Sequence, residues 1–168
     1  AEIKYDNLHD GQVVQVGSAR VTAVLMNHPV MDFGYRIEAD GKSVFFTGDH
    51  EPVQNLYSPG EDGYEELAEM IAARDAGLHA HMAEVDLLIA DSMYTSDEYL
   101  QRAGWGHGTF DSSLQLARRV RARKLAFTHH DPQRTDDALD EIAAGVMSRR
   151  VDSDPELVFA REGMVIEV

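Results

Sequence analysis

Gly104–Pro132 reads GWGHGTFDSSLQLARRVRARKLAFTHHDP, a helix pattern running into a strand pattern that sets the fold class as α/β. It opens with a histidine bracketed by glycines, Gly106-His107-Gly108. Phe110, Leu114, Ala117 and Val120 then recur at the three-to-four spacing of one buried helical face, which predicts a helix over Phe110–Ala122. A short apolar strand, Lys124–Thr128, follows and ends directly in His129-His130-Asp131-Pro132. Ligands in α/β proteins gather where strands end and loops begin. Imidazoles and a carboxylate delivered to such a point are metal-ligand chemistry.

Upstream, Gln12–Val16 and Ala19–Asn27 read as two strands joined at Gly17-Ser18. Val21, Ala23 and Leu25 alternate with Thr22, Val24 and Met26, so both faces of the second strand are largely apolar and both are expected to be covered. Gly34–Ala39 and Ser43–Thr47 form a second pair around the turn dipeptide Asp40-Gly41. Residues 53–64 read as a loop, and Tyr64–His81 as a helix carrying Leu67, Met70, Ile71 and Leu78. Asp86–Asp91 is a short buried strand, and Thr95-Ser96-Asp97-Glu98 has the form of a capping box. Thr135–Val151 is a further helix, and Leu157–Ala160 with Met164–Glu167 a closing hairpin around Glu162-Gly163. Residues 1–10 are polar and patternless.

A chain of 168 residues is expected to be one domain, burying roughly 70% of the surface its unfolded form exposes. The formal net charge of −15 counts against a nucleic-acid groove, because phosphate tracking needs Lys and Arg. With no cysteine there is no disulfide framework and no thiolate site, so a zinc ion would have to be held by His, Asp or Glu. No apolar run reaches membrane-spanning length and no signal peptide is visible, in line with a cytoplasmic protein. The first residue is Ala, so a processed or truncated chain is expected.

Strand patterns end in polar residues four times, at His28, Asp49, Asp91 and His129, with Gly or Pro close by in most cases. Each alone has an ordinary explanation: His28 satisfied by a carbonyl, Asp49 capping a turn after Gly48, Asp91 capping the next turn. The recurrence is what points to a site. His107 is left accessible by its flanking glycines, and the lone Trp105 beside it either walls a pocket or simply packs. Adjacent residues in extended chain face opposite ways, so Asp49 is preferred to His50 and His129 to His130. Asp91 is a candidate to hydrogen-bond a ligand histidine. His79-Ala80-His81 ends a helix, where residues two apart do not face one another, and is set aside as a ligand pair. His9 has no context and reads as solvated. Arg118, Arg119, Arg121 and Arg123 complement a helix C-terminus and read as surface.

The order His28-Pro29, Phe33–Glu38 (FGYRIE), Phe46–Asp49 (FTGD), Gly106–Thr109 (GHGT) and Thr128–Pro132 (THHDP) resembles the metallo-β-lactamase superfamily. The likeness is greatest to the branch of tRNA 3′-processing endonucleases (RNase Z) and cyclic phosphodiesterases, and it covers roughly Val21–Ile142. The resemblance implies that His28 binds one metal, His129 a second, and that the Asp49 carboxylate bridges both. It implies that His107 assists the leaving group. The implied cofactor is a pair of divalent metal ions, zinc first, with manganese or iron as alternatives. The implied reaction is hydrolysis of a phosphodiester or other small-molecule substrate by a hydroxide held between the metals.

The family's HxHxDH motif is absent from these residues; His79-Ala80-His81 is followed by Met82-Ala83-Glu84. The family fold is a four-layer αββα sandwich of two similar halves. The expectation is therefore that residues 1–168 form a single domain corresponding to the C-terminal half. An N-terminal half or second chain would complete the fold and the metal site. A thioester or lactone hydrolase of the same superfamily, and a binding or assembly module that lost its metals, are the alternatives to a phosphodiesterase.

Overall fold

A computed structural model describes residues 7–168; the first part of the patternless opening stretch, residues 1–6, lies outside the described residues. Seven strands follow one another, β1 (Val13–Val16), β2 (Ala19–Leu25), β3 (Phe33–Ala39), β4 (Lys42–Phe46), β5 (Leu87–Asp91), β6 (Lys124–Thr128) and β7 (Glu156–Phe159). They form one sheet in chain order. The helices are α1 (Tyr64–Met82), α2 (Ser96–Tyr99), α3 (Phe110–Val120) and α4 (Asp136–Ser148). Among the described residues no helix is long and apolar enough to cross a membrane.

The first four strands are antiparallel neighbours because short turns join them. Asp40 and Gly41 both take left-handed backbone, φ 52° and 74°, the geometry whose twist matches a two-residue hairpin. From β4 onward the pairing is parallel, β4 with β5, β5 with β6 and β6 with β7. A parallel return needs a crossover, and α1, α3 and α4 supply them. Crossovers of this kind are right-handed. Because strand order advances in one direction throughout, right-handed crossovers put all three helices on the same face of the sheet.

The core records this. Val24, Phe45, Leu88, Ala90, Leu125 and Phe127 meet Leu78, Met82, Leu114, Ala117, Leu139 and Val146 in one buried cluster. The opposite face carries Val21, Leu25, Tyr35, Ile37, Val44, Phe46, Ile89 and Val158, brought side by side by the strand register. Leu25, Ile37 and Phe46 there are 42%, 37% and 40% exposed. The two-sided apolarity of the strands is thus met by helices on one side; on the other, Ala23, Leu87 and Ala126 are buried while Leu25, Ile37 and Phe46 stay partly exposed.

One element departs from the sequence expectation. Glu162-Gly163 does form a turn, with Gly163 at φ 76°, but Met164–Glu167 makes no strand. β7 pairs with β6 in parallel on one edge, continued by Ala160 N–H donating to the Phe127 carbonyl, and its other edge meets no strand among the described residues; the tail is instead tied by Lys124 Nζ donating to the Glu167 carbonyl. The arginines near the end of α3 lie exposed, as expected. Arg118 reaches the buried Asp154 carboxylate at 2.5 and 3.0 Å and ties α3 to the segment before β7.

The capping box of α2 is present, with Thr95 and Glu98 each bonding the other's backbone N–H. Glu98 is also held by Arg134, at 3.2 and 2.9 Å, which clamps α2 to the loop after β6. The Arg134 bond, ahead of the Thr95 contacts, pulls the Glu98 carboxyl from its ordinary 4.5 down to about 2. A carboxyl lowered by folding stabilises the fold fully above its unfolded pKa and loses that contribution as pH falls through the folded value. Glu98→Gln is therefore expected to be less stable than the parent above pH 4.5, with the gap closing as pH falls toward 2. Urea unfolding midpoints across that range measure it, and a pH-independent gap would contradict it.

Candidate metal centre

β2, β4, β5 and β6 all run in one direction, since β2 and β4 are each antiparallel to β3 and the rest are parallel. Their C-terminal ends therefore lie along one edge of the sheet. His28 follows β2, Asp49 follows β4, Asp91 ends β5 and His129 follows β6. This is how residues far apart in the chain reach one place.

Asp49 is held at its backbone. Its N–H donates to the Asp32 carboxylate at 2.7 Å, and Gly48 before it sits at φ 61°. A Cβ at Gly48 would collide with that same Asp32 carboxylate, so the glycine makes room for the carboxylate that fixes the turn. The Asp49 side chain then faces two histidines with different oxygens. Oδ2 is 3.8 Å from His28 Nε2, and Oδ1 is 3.5 Å from His129 Nε2. Two ligand atoms bound at about 2.0–2.2 Å to a tetrahedral ion stand roughly 3.4 Å apart, so these gaps suit shared metal ions better than direct hydrogen bonds. Asp49, Asp91, His107 and His129 each offer a ligand atom within 4.8 Å of the others. His28 is not part of that foursome but faces the second oxygen of Asp49.

The histidine rings are oriented by their second nitrogens. His28 Nδ1 lies 2.8 Å from the Val30 carbonyl and 3.2 Å from the Val30 N–H. Only one can be a hydrogen bond for a given tautomer, and the shorter contact assigns Nδ1–H donating to the carbonyl. That leaves the Nε2 lone pair facing Asp49. His107 Nδ1–H donates to Asp91 Oδ2 at 2.9 Å, leaving its Nε2 free. Asp91 is 2% exposed; burial pushes its carboxyl up, opposed by the His50 N–H and by His107. The His107 ring stacks on His129 at 4.9 Å and lies 5.6 Å from the His28 ring.

His129 adopts φ 56°, unusual for a residue other than glycine, immediately after β6. Such strain persists where the surrounding structure demands it. The turn sends His129 toward Asp49 and His130 underneath, against Phe110 at 5.8 Å. The nitrogens of His130 lie near the backbone of Ser92 and Ala160 without hydrogen-bond geometry, and burial lowers its pKa. His50 is likewise turned away from Asp49. Its Nδ1 is buried without a partner, and burial first, with His79 and Arg74, pushes the ring down to about 4. It lines a cavity of about 290 Å³ behind Asp91 with Asp75, His79 and Arg119. His79 therefore belongs to that cavity rather than to the cluster at Asp49, and Trp105 is 61% exposed rather than walling a pocket.

Asp91 does bond a histidine, His107 rather than one of the two facing Asp49. Asp32 and Glu51 escaped the sequence reading. Asp32 sits in a turn with no motif around it. Glu51, 4% exposed, accepts from the Tyr99 hydroxyl and from Gly104 and Gly106 N–H, both at 2.7 Å.

A family model described as "Beta-lactamase superfamily domain" matches residues 1–130. Among curated proteins, a ribonuclease Z of Halobacterium salinarum is 28% identical over 165 residues, covering 98% of this chain and 42% of its own length. The chain thus spans less than half of that relative. Among solved structures, the metallo-beta-lactamase fold protein YhfI of Bacillus subtilis superposes with TM-score 0.66 at 21% identity, over 96% of this chain and 54% of its own. The short form of human tRNase Z gives 0.58 at 19%, over 92% and 44%. These two likenesses show the fold.

Two glycines beside His107 separate backbone strain from collision. Gly104 and Gly106 sit at φ 85° and 98°. Nothing lies near a Cβ added at Gly104, whereas one at Gly106 would strike the His28 ring and Pro29. Gly104→Ala is expected to cost about 1–3 kcal/mol of backbone strain. Gly106→Ala should cost measurably more in denaturant unfolding, and equal costs would mean that Gly106 does not pack on His28.

Proposed function

The chain belongs to the beta-lactamase superfamily domain family, and from that premise we propose that it carries one side of the active centre of a metal-dependent phosphodiester hydrolase. The observation that carries this reading is the Asp49 carboxylate set between His28 Nε2 and His129 Nε2, one oxygen to each. His28 and Asp49 would hold one divalent ion, His129 and Asp49 the other. Nitrogen and carboxylate donors with no thiolate suit zinc, with manganese or iron as alternatives. Bound there, the ions would supply Lewis acidity, neutralise phosphoryl oxygen charge and allow attack by water near neutral pH.

The chain's own residues do the rest. Asp91 fixes the His107 tautomer and turns Nε2 toward the cluster, as a carboxylate behind a catalytic histidine does elsewhere. In its doubly protonated form, with Nδ1–H held by Asp91, His107 gives the Nε2 proton or a hydrogen bond to the leaving oxygen as the P–O bond breaks. Asp49 is anchored at its backbone by the Asp32 carboxylate, which accepts from its N–H and fixes where its side chain starts.

A phosphodiester is the substrate class supported by the relatives' name, ribonuclease Z. The chain's charge of −15 does not favour a groove for a polyanion. The two fit together if this side takes the scissile diester while other parts of the protein hold the remainder of the substrate. We take the apolar face of Leu25, Ile37 and Phe46 to be where a second sheet packs, supplied with the remaining metal ligands by a region outside these 168 residues.

His107→Ala in the full-length protein tests the assignment. Metal content is expected to stay at the parent value while turnover of a diester with a poor leaving group falls about 10²–10⁴-fold. Loss of metal would make His107 a ligand, and unchanged turnover would remove it from the chemistry.

A further inference from the structure

We propose that Glu51 is the positioning residue of this site, tying the His28 and His107 loops to the turn that carries Asp49. This rests on the functional reading above. Glu51 lies two residues beyond Asp49 and reaches both neighbours by different means. Its main chain pairs with Asn27, next to His28: Glu51 N–H donates to the Asn27 carbonyl at 2.9 Å, and Asn27 Nδ2 donates to the Glu51 carbonyl at 2.7 Å. Its carboxylate takes the other side. Oε1 accepts from Gly104 N–H and the Tyr99 hydroxyl, and Oε2 from Gly106 N–H. The loop so held is the one that presents His107, and Gly106 in turn rests against the His28 ring.

The choice of a carboxylate is specific. The Glu51 carboxylate is met by backbone N–H and hydroxyl donors. Three donors converge on it, and only an acceptor-only group satisfies all of them. A glutamine is isosteric, but its NH₂ would face a donor, either the Gly106 N–H or the pair at Gly104 and Tyr99. Glu51→Gln therefore releases the His107 loop with little change in volume. Tyr99→Phe removes one donor and leaves both glycine bonds.

The experiment compares Glu51→Gln, Tyr99→Phe, His107→Ala and the Glu51→Gln/His107→Ala pair in the full-length protein. It reads turnover of diesters with good and poor leaving groups, metal content, and amide exchange at Gly104 and Gly106. A misplacement of about 1 Å costs up to roughly 10²-fold. Glu51→Gln is expected to lower kcat on the poor leaving group by about 10–10²-fold, leave KM and metal content near the parent values, and speed exchange at one or both glycines. Tyr99→Phe should do less. Residues acting as a unit are non-additive, so adding Glu51→Gln to His107→Ala should cost under about threefold more. Multiplying losses, or parent-like exchange at both glycines in Glu51→Gln, would overturn the proposal. If the parent protein hydrolyses no diester, the functional reading fails, while the exchange data still report whether Glu51 holds the loop.

Discussion

Everything at the site depends on strand direction. A turn of two residues can only return the chain antiparallel, whereas a helix returns it parallel. This chain uses hairpins up to β4 and helices after it, so β2, β4, β5 and β6 finish on the same edge. The same rule that aligns those ends also sends α1, α3 and α4 to one face. The convergence of His28, Asp49, Asp91 and His129 and the helix-free face that carries Leu25, Ile37 and Phe46 are two results of one topology.

At that edge the chemistry is set by what each polar group is not allowed to do. Asp91 is buried and bonded by His107, His50 N–H and Met93 N–H, so its oxygens are occupied. The Asp49 oxygens have His28 and His129 opposite them but beyond hydrogen-bond distance. His50 and His130 are near in sequence but face away, and burial lowers the pKa of both rings. The groups that remain without a hydrogen-bond partner, His28 Nε2, His107 Nε2, His129 Nε2 and the Asp49 carboxylate, are a set that suits cations. Asp49 and Asp91 in one cluster would repel each other without them.

Local pattern carried most of the fold. Alternation and turn dipeptides located β1 to β6 within a few residues, and the capping box located α2. The convergence of His28, Asp49 and His129 was legible because each stands just past an apolar strand, His28 and Asp49 beside Pro29 and Gly48 and His129 three residues before Pro132. The closing hairpin is absent although its turn forms, because Glu162-Gly163 looks the same whether or not the next segment pairs; the tie of Lys124 Nζ to the Glu167 carbonyl is a long-range contact that no local signal reports. Asp32 and Glu51 were hidden for the same reason. Their partners, Asp49 N–H in one case and Gly104, Gly106 and Tyr99 in the other, are 17 to 55 residues away. The role of Asp91 as the partner of His107 rather than of His28 or His129 also needed coordinates, because sequence order says nothing about which ring reaches it first.

The most direct test of the account is to crystallise the full-length protein with zinc and locate the metal by anomalous scattering. The Asp49 carboxylate should lie between two peaks, one bonded to His28 Nε2 and the other to His129 Nε2. Zinc held elsewhere with Asp49 free, on His79 and His81 for example, would contradict the assignment of this edge as the metal centre.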